Sequence, residues 1–150
     1  MNIFEAIRAD HDIQRKLLDQ ALATEGDTKE RKEIWEKLKV ELKGHETAEE
    51  RNFYKQLIDN DMMVEHTRHG IAEHHEIDEL IEKVEEADMD SSAWLAHLKS
   101  LDHQVRHHLE DEEKSFFQLA GKVFSEAQKT DLAKKYNAEM EAQRKEMKKA

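Results

Sequence analysis

Two histidine–glutamate pairs in this chain lie on stripes that should face the core of a helical bundle. His45 and Glu49 are one helical turn apart, and so are His108 and Glu112. Each pair interrupts a series of apolar residues spaced three or four apart, and the series then resumes. Burying an imidazole or a carboxylate is costly unless something binds it. These pairs therefore predict metal ligands inside a bundle.

Helical phase matters more than spacing here, because a histidine and an acid one turn apart are also an ordinary surface pair. The chain has 35 acidic residues and ten histidines, so such pairs are frequent. His107 lies about 100° from the inward stripe of its helix, and His103 and His75 also point well away from theirs. We expect these three side chains to be in solvent.

Two further histidines lie in phase with apolar residues on other helices. His11 follows Ile7 on one stripe, and His74 lies between Ile71 and Ile77 on another. Either one alone could be a core histidine satisfied by a hydrogen bond. Together with the two pairs they give a predicted ligand set of four histidines and two glutamates: His11, His45, Glu49, His74, His108 and Glu112.

This donor set predicts a dinuclear metal site. Neutral imidazole and carboxylate without sulfur suit iron, manganese or zinc. Glutamates on facing helices could bridge two ions, as carboxylates do in dinuclear sites. Six ligands are too many for one tetrahedral zinc, and they leave positions open on two octahedral ions.

Two other metal-binding patterns do not match. The ferritin-like di-iron bundle uses Glu-x-x-His, and no histidine here has a glutamate three residues before it. A zincin helix needs His-Glu-x-x-His, but His45-Glu46 is followed by Thr47, Ala48 and Glu49.

Composition narrows the class of protein. Charged residues make up 39% and no proline is present, which is typical of long helices. The net charge of -11 disfavours nucleic acid and anionic membranes as partners. The absence of cysteine excludes thiolate-ligated metal. No apolar run has the length of a signal peptide or a membrane span, so we expect a cytoplasmic protein.

The apolar periodicity predicts an all-α fold. We expect an up–down antiparallel four-helix bundle over residues 1–122 and a helical extension of the same domain over 123–150. The first two helices should cover about 2–22 and 28–59, with Asp27 starting the second, and the fourth should end near Gly121. The last helix should start in a capping box of Ser125 and Gln128. Its apolar stripe is sparse, which predicts loose packing.

The order of these motifs resembles the hemerythrin-like HHE cation-binding domain over roughly residues 1–122. The segments that carry the resemblance are Glu49-Glu-Arg-Asn-Phe-Tyr54, Glu73-His74-His75-Glu76-Ile77 and His107-His-Leu-Glu-Asp-Glu-Glu-Lys-Ser-Phe-Phe117. The resemblance implies a non-haem centre of two iron ions, with the four histidines as terminal ligands and Glu49 and Glu112 as bridges. We expect such a protein to bind or sense a small ligand, O2 or NO, or iron itself.

The chain departs from the oxygen-carrying members of that family. They have two histidines one turn apart on the third helix, whereas Gly70 and Asp78 flank His74 here. This difference argues against simple oxygen carriage, and Glu46 is a candidate for an extra oxygen ligand. Two alternatives stay open: a di-iron redox enzyme acting on peroxide or nitric oxide, and an iron-storage or structural bundle.

Overall fold

The computed structural model describes residues 1–149, and their side chains as far as residue 146. The described residues form helices and no strand, which confirms the all-α prediction. A 3-10 turn (Tyr54–Gln56) follows the second helix and a π turn (Glu112–Phe116) follows the fourth. In chain order the α-helices are α1 (Ile3–Leu22), α2 (Lys29–Asn52), α3 (Val64–Glu86), α4 (Ser92–Asp111), α5 (Phe117–Ala120) and α6 (Glu126–Lys149).

Helices α1 to α4 form the predicted bundle. Contacts join α1 to α2, α2 to α3, α3 to α4 and α4 back to α1, so the four helices close a ring. Helix α6 packs against α1 and α2. The expectation of loose packing for α6 was wrong, because Tyr136 and Met140 are completely buried. Because these two side chains are large, even a sparse apolar stripe is sufficient to hold α6 against the bundle.

Helix starts follow local capping. Thr28, not the expected Asp27, begins α2, because its side chain accepts a hydrogen bond from the backbone N–H of Arg31. The predicted capping box at the start of α6 is present. The backbone N–H of Ser125 donates to Gln128 Oε1, and the N–H of Gln128 donates to Ser125 Oγ.

The predicted extension of the second helix to residue 59 was wrong. Helix α2 ends at Asn52, where Phe53 adopts φ −136° and ψ −61° outside the helical region. The 3-10 turn that follows buries Tyr54 and Leu57 against the bundle. Apolar residues continue at helical spacing beyond Asn52 in the sequence, and this periodicity led to the longer prediction.

The fourth helix changes register at its π turn. The backbone N–H of Phe117 donates to the carbonyl of Glu112, which lies five residues back rather than four. Phe116 and Phe117 are therefore both buried. Regular helical spacing from His108 and Glu112 predicts Leu119 as an inward residue. Ala120 takes this core position instead, and Leu119 is only partly buried.

Two apolar clusters form the core. One is rich in phenylalanine and lies where α6 and the two irregular turns meet the bundle, and the other contains Trp35, Trp94 and mainly leucine and isoleucine. No described helix is long and apolar enough to cross a membrane.

Candidate metal centre

All six predicted ligands are buried, and none exposes more than 3% of its surface. Helix α1 supplies His11, α2 supplies His45 and Glu49, α3 supplies His74, α4 supplies His108, and the π turn supplies Glu112. The bundle thus brings together residues up to a hundred positions apart. Their donor atoms form two groups that share Glu49.

The first group lies between α1 and α2 and is called the α1–α2 half. His11 Nε2 lies 3.2 Å from Glu112 Oε1, and His45 Nε2 lies 3.5 Å from Glu49 Oε2. One donor atom from each of these four residues lies within 4.8 Å of the others. Two nitrogens and two oxygens therefore converge on one point.

The second group, the α3–α4 half, consists of Glu49, His74 and His108, and the second oxygen of Glu112 lies beside it. His74 Nε2 lies 3.1 Å from Glu49 Oε1, and His108 Nε2 lies 3.9 Å from that atom and 3.6 Å from Glu112 Oε2. Each glutamate thus directs one oxygen to each histidine pair. This is the arrangement that a carboxylate bridge between two ions requires.

The donor atoms fit a bound metal. His11 Nε2, His45 Nε2, His108 Nε2, Glu49 Oε2 and Glu112 Oε1 are buried and have no hydrogen-bond partner among the described residues. Buried polar atoms in proteins nearly always have a hydrogen-bond partner, so five unpaired donor atoms close together need an explanation. Imidazole nitrogens and carboxylate oxygens are ligands of iron, manganese and zinc, and cations bound in the two halves would satisfy all five atoms.

A second layer of side chains orients the imidazoles. Every histidine of the set has a polar partner at its Nδ1 atom, which turns Nε2 towards the centre. The partners are Glu113 for His11 (2.7 Å), Tyr136 for His45 (2.6 Å), Glu50 for His74 (2.8 Å) and Glu73 for His108 (2.8 Å).

The π turn explains how consecutive glutamates serve both layers. Glu112 points into the centre, while Glu113 reaches His11 from the side and is held by Arg15 through two hydrogen bonds of 2.8 and 3.1 Å. Burial opposes ionisation of Glu113, but His11 and Arg15 outweigh it and lower the pKa of Glu113 to about 2. A wide turn at a functional position is a recurrent use of the π geometry.

In the absence of metal, bound protons balance part of the negative charge of the glutamates in the centre. Burial opposes protonation of His11, His74 and His108, but hydrogen bonds to neighbouring glutamates outweigh it and raise the pKa of all three. Burial and the charge on Glu49 raise the pKa of Glu112. A metal ion would have to displace these protons.

Sequence reasoning missed Tyr54, which lies beside the α3–α4 half. Its ring stacks on His74, with centroids 5.4 Å apart and planes at 18°. Its hydroxyl donates to Glu112 Oε2 at 2.6 Å, which adds a phenolic oxygen near this half. A Cβ on Gly70 would approach that oxygen to 2.6 Å. Gly70, one turn before His74, was thus the available sequence clue.

Tyr136 of α6 was also missed. Its hydroxyl oxygen accepts from His45 Nδ1, and the hydroxyl donates to Asp10 Oδ2 at 2.7 Å. Arg144 then donates to Asp10 Oδ1 at 2.9 Å and to both oxygens of Glu41. Nothing in the sequence pattern links α6 to the ligand set, because the contact depends on how the helix packs.

The sequence profile of the hemerythrin HHE cation-binding domain matches residues 2–120, which is well over half of the chain. The chain belongs to the hemerythrin HHE cation-binding domain family. It is therefore a metal-binding domain, in keeping with the clusters of histidine and glutamate. The matched range contains the whole predicted ligand set and ends before α6.

The hemerythrin fold is also seen in a solved structure, a hemerythrin HHE cation-binding domain-containing protein from Mycobacterium kansasii. The two structures superpose with a TM-score of 0.87 at 19% sequence identity, over 97% of this chain and 89% of that one. At this identity the likeness is one of fold, and its coverage includes most of α6. No curated protein sequence matches this chain.

The remaining histidines and Glu46 of this hemerythrin domain lie outside the two halves. His75, His103 and His107 are exposed, as predicted. Glu46 is buried, but its carboxyl is not part of either donor group. Burial, with Asp78 nearby, raises the pKa of Glu46 to about 10. Its Oε1 atom is also buried without a hydrogen-bond partner among the described residues, so a role for Glu46 as an extra oxygen ligand stays a prediction.

A narrow cleft, with a volume of about 10 Å³ or roughly the room of one water molecule, leads from the surface towards the α3–α4 half. His66, His69 and Asp111 line it on the outer side, and His108 and Glu112 line it on the inner side. In the α1–α2 half, the ring of Phe117 is stacked against the imidazole of His11, with ring centroids 6.0 Å apart.

Proposed function

We propose that this domain holds two iron ions in a non-haem centre and uses it to bind or sense a small ligand such as O2 or NO. The observation that carries the proposal is the placement of Glu49 and Glu112. Each is buried and presents one oxygen to each histidine pair.

The proposed ligands divide evenly. His11 and His45 would bind one ion, His74 and His108 the other, and the two glutamates would bridge them. Each ion would then have two nitrogen and two oxygen donors, so an octahedral ion keeps positions open for water or a diatomic ligand. Iron in such a site supplies ligand binding and redox chemistry.

The surrounding side chains have their own roles. The four outer partners hold the imidazole planes and keep each Nδ1 engaged, so Nε2 stays available. The apolar clusters on either side exclude bulk water, which strengthens electrostatic interactions inside the centre. The cleft admits only small molecules to the α3–α4 half.

The absence of cysteine supports a cytoplasmic location, where disulfides are rare.

Tyr54 favours a second candidate function, reduction of peroxide or nitric oxide. Its hydroxyl donates to Glu112 Oε2 at 2.6 Å beside the half that the cleft reaches. Burial and the charges of Glu112 and Glu49 raise its pKa well above the usual value, so the hydroxyl keeps its proton. The protonated hydroxyl can donate a hydrogen bond to an oxygen that reacts at this half.

The test is anaerobic loading of the purified chain with Fe2+, followed by desalting and elemental analysis. We expect two irons per chain, and new visible absorption when air or NO is admitted. A ratio of one or less at full occupancy, or a colourless protein, would contradict the proposal. Steady turnover of added hydrogen peroxide would favour the enzyme.

A pair of neighbouring variants tests the ligand assignment. His108→Ala should lower the iron content sharply, because it removes a donor from the α3–α4 half. His107→Ala should leave it unchanged, since that side chain is exposed. If His107→Ala lost iron and His108→Ala kept it, His107 and not His108 would be the ligand on α4.

A further inference from the structure

A third group of metal-ligand side chains lies outside the centre, at the mouth of the cleft. His69 and Asp111 are exposed and Glu73 is buried, and one donor atom from each lies within 4.8 Å of the other two. His69 and Glu73 come from one face of α3, and Asp111 is the last residue of α4. The group therefore spans the two helices that border the cleft.

The distances within this group leave room for a cation. His69 Nε2 lies 3.6 Å from Glu73 Oε1, which is too long for a hydrogen bond. Glu73 Oε2 lies 3.8 Å from His107 Nε2, which is also too long. No hydrogen bond therefore joins Glu73 to His69, or to His107, which lies beside the group and is not part of it.

Glu73 connects this group to the centre. Its Oε1 atom is 2.8 Å from Nδ1 of His108, whose Nε2 points at the bridging glutamates. Gly70 lines the same cleft and places no side chain in it. A cation released inwards from Glu73 would next meet His108 and Glu112.

We propose that His69, Glu73 and Asp111 form an outer site for a divalent cation, from which metal passes into the centre. One imidazole and two carboxylates suit Fe2+, Mn2+ or Zn2+, and with only three protein ligands and open solvent the cation is held weakly. Carboxylates that line a cleft raise the local concentration of cations and their rate of entry. The transfer step rests on the proposed function, whereas binding at the outer site does not.

The first experiment measures how fast metal enters. Anaerobic Fe2+ uptake is followed by stopped flow for the wild-type chain and for His69→Ala/Asp111→Asn, which leaves Glu73 and His108 intact. The control is His75→Ala/Glu79→Gln, another exposed pair on α3 that lies away from the cleft. We expect uptake to slow by about tenfold in the first variant, with the same final iron content, and not in the control.

Two results would overturn the transfer role. Equal uptake rates in the first variant and the wild type would mean that metal enters elsewhere. A lower final iron content would mean that these residues belong to the centre itself rather than to a separate site.

The second experiment detects the outer site without iron. The chain is first loaded with diamagnetic Zn2+ and desalted, so that the centre is already filled. Mn2+ is then added below stoichiometry, and broadening of the imidazole proton signals is followed by NMR. We expect the His69 signal to broaden before that of His75, and Asp111→Asn to abolish the difference. Equal broadening, or broadening that survives Asp111→Asn, would overturn the outer site. If this site is seen while the chain fails to hold two irons, the proposed function fails and the outer site stands.

Discussion

The two halves of the centre have equally buried donor atoms but different surroundings. Behind the α1–α2 half, Tyr136 of α6 completes the contacts of His45, and Phe117 covers His11. Behind the α3–α4 half, the partner of His74 is Glu50, whose side chain is 40% exposed. A cleft reaches this half as well. The α1–α2 half is therefore enclosed and the α3–α4 half is open.

The difference indicates a division of labour. An enclosed site with fixed imidazoles favours a constant coordination, whereas an open one allows water or a small ligand to enter. We therefore expect the small ligand at the α3–α4 half, next to Tyr54. Among the side chains described for α6, Tyr136 contacts the centre, and it does so in the enclosed half. On this ground we propose that residues 123–150 belong to one domain with residues 1–122.

The largest effect should come from a residue that both halves share. Glu49→Gln should reduce iron from two per chain to nearly none, because one oxygen of Glu49 faces each histidine pair. The control is Glu46→Gln, a neighbouring buried glutamate outside both donor groups, which should keep both irons. Elemental analysis after loading measures the ratio. Retention of one iron in Glu49→Gln would mean that the halves bind independently.

The next effect should fall on the enclosed half alone. Tyr136→Phe removes the group that holds His45 Nδ1 and should weaken binding of one metal by about 10–100-fold. Glu50→Gln should do less, because water can replace an exposed partner of His74. Competition with a coloured chelator gives both affinities.

Met140→Ala is the control for α6 packing. It removes a buried side chain from the same helix but leaves the hydrogen bond to His45 in place. Equal losses of affinity in Tyr136→Phe and Met140→Ala would attribute the effect to packing and not to orientation of the imidazole.

A smaller effect should appear in the open half when Gly70 is replaced. A Cβ at this position would lie 2.6 Å from Tyr54 Oη and 2.8 Å from Tyr54 Cζ, so the ring must move off His74. We expect Gly70→Ala to lower the free energy of unfolding by about 1–3 kcal/mol, as overpacking does. Urea unfolding of the metal-free variant measures it, and unchanged stability would show that Tyr54 relocates without cost.

The smallest effect concerns pH. Burial opposes protonation of His11, His74 and His108, but their glutamate neighbours raise the pKa of each in the metal-free protein. This stabilisation is complete below the unfolded pKa of about 6.5 and is lost as pH rises through the raised values. Metal needs neutral imidazoles, so its own stabilisation grows over the same range.

Thermal unfolding with and without metal checks the pH dependence. The melting temperature of the metal-free protein should fall as the pH rises above about 6.5, and the gap to the loaded protein should widen. A gap that stays constant with pH would mean that metal does not displace protons from these histidines.

The sequence by itself determined the helices and the six inward donor positions. Both follow from side-chain direction along a regular helix, where 100° per residue decides which face is buried. His107 and His108 illustrate this, since adjacent histidines differ in exposure as their phases predict. The same rule failed at Leu119, because it assumes four residues per hydrogen-bonded turn and the π turn uses five.

Only the tertiary structure decided what surrounds those donors. The return of Tyr54 to His74 depends on where α2 ends, and the contact between Tyr136 and His45 joins residues 91 positions apart. The opening beside Glu73 depends on the spacing of α3 and α4. Such contacts are set by how helices pack on one another, and the periodicity within a single helix carries no information about them.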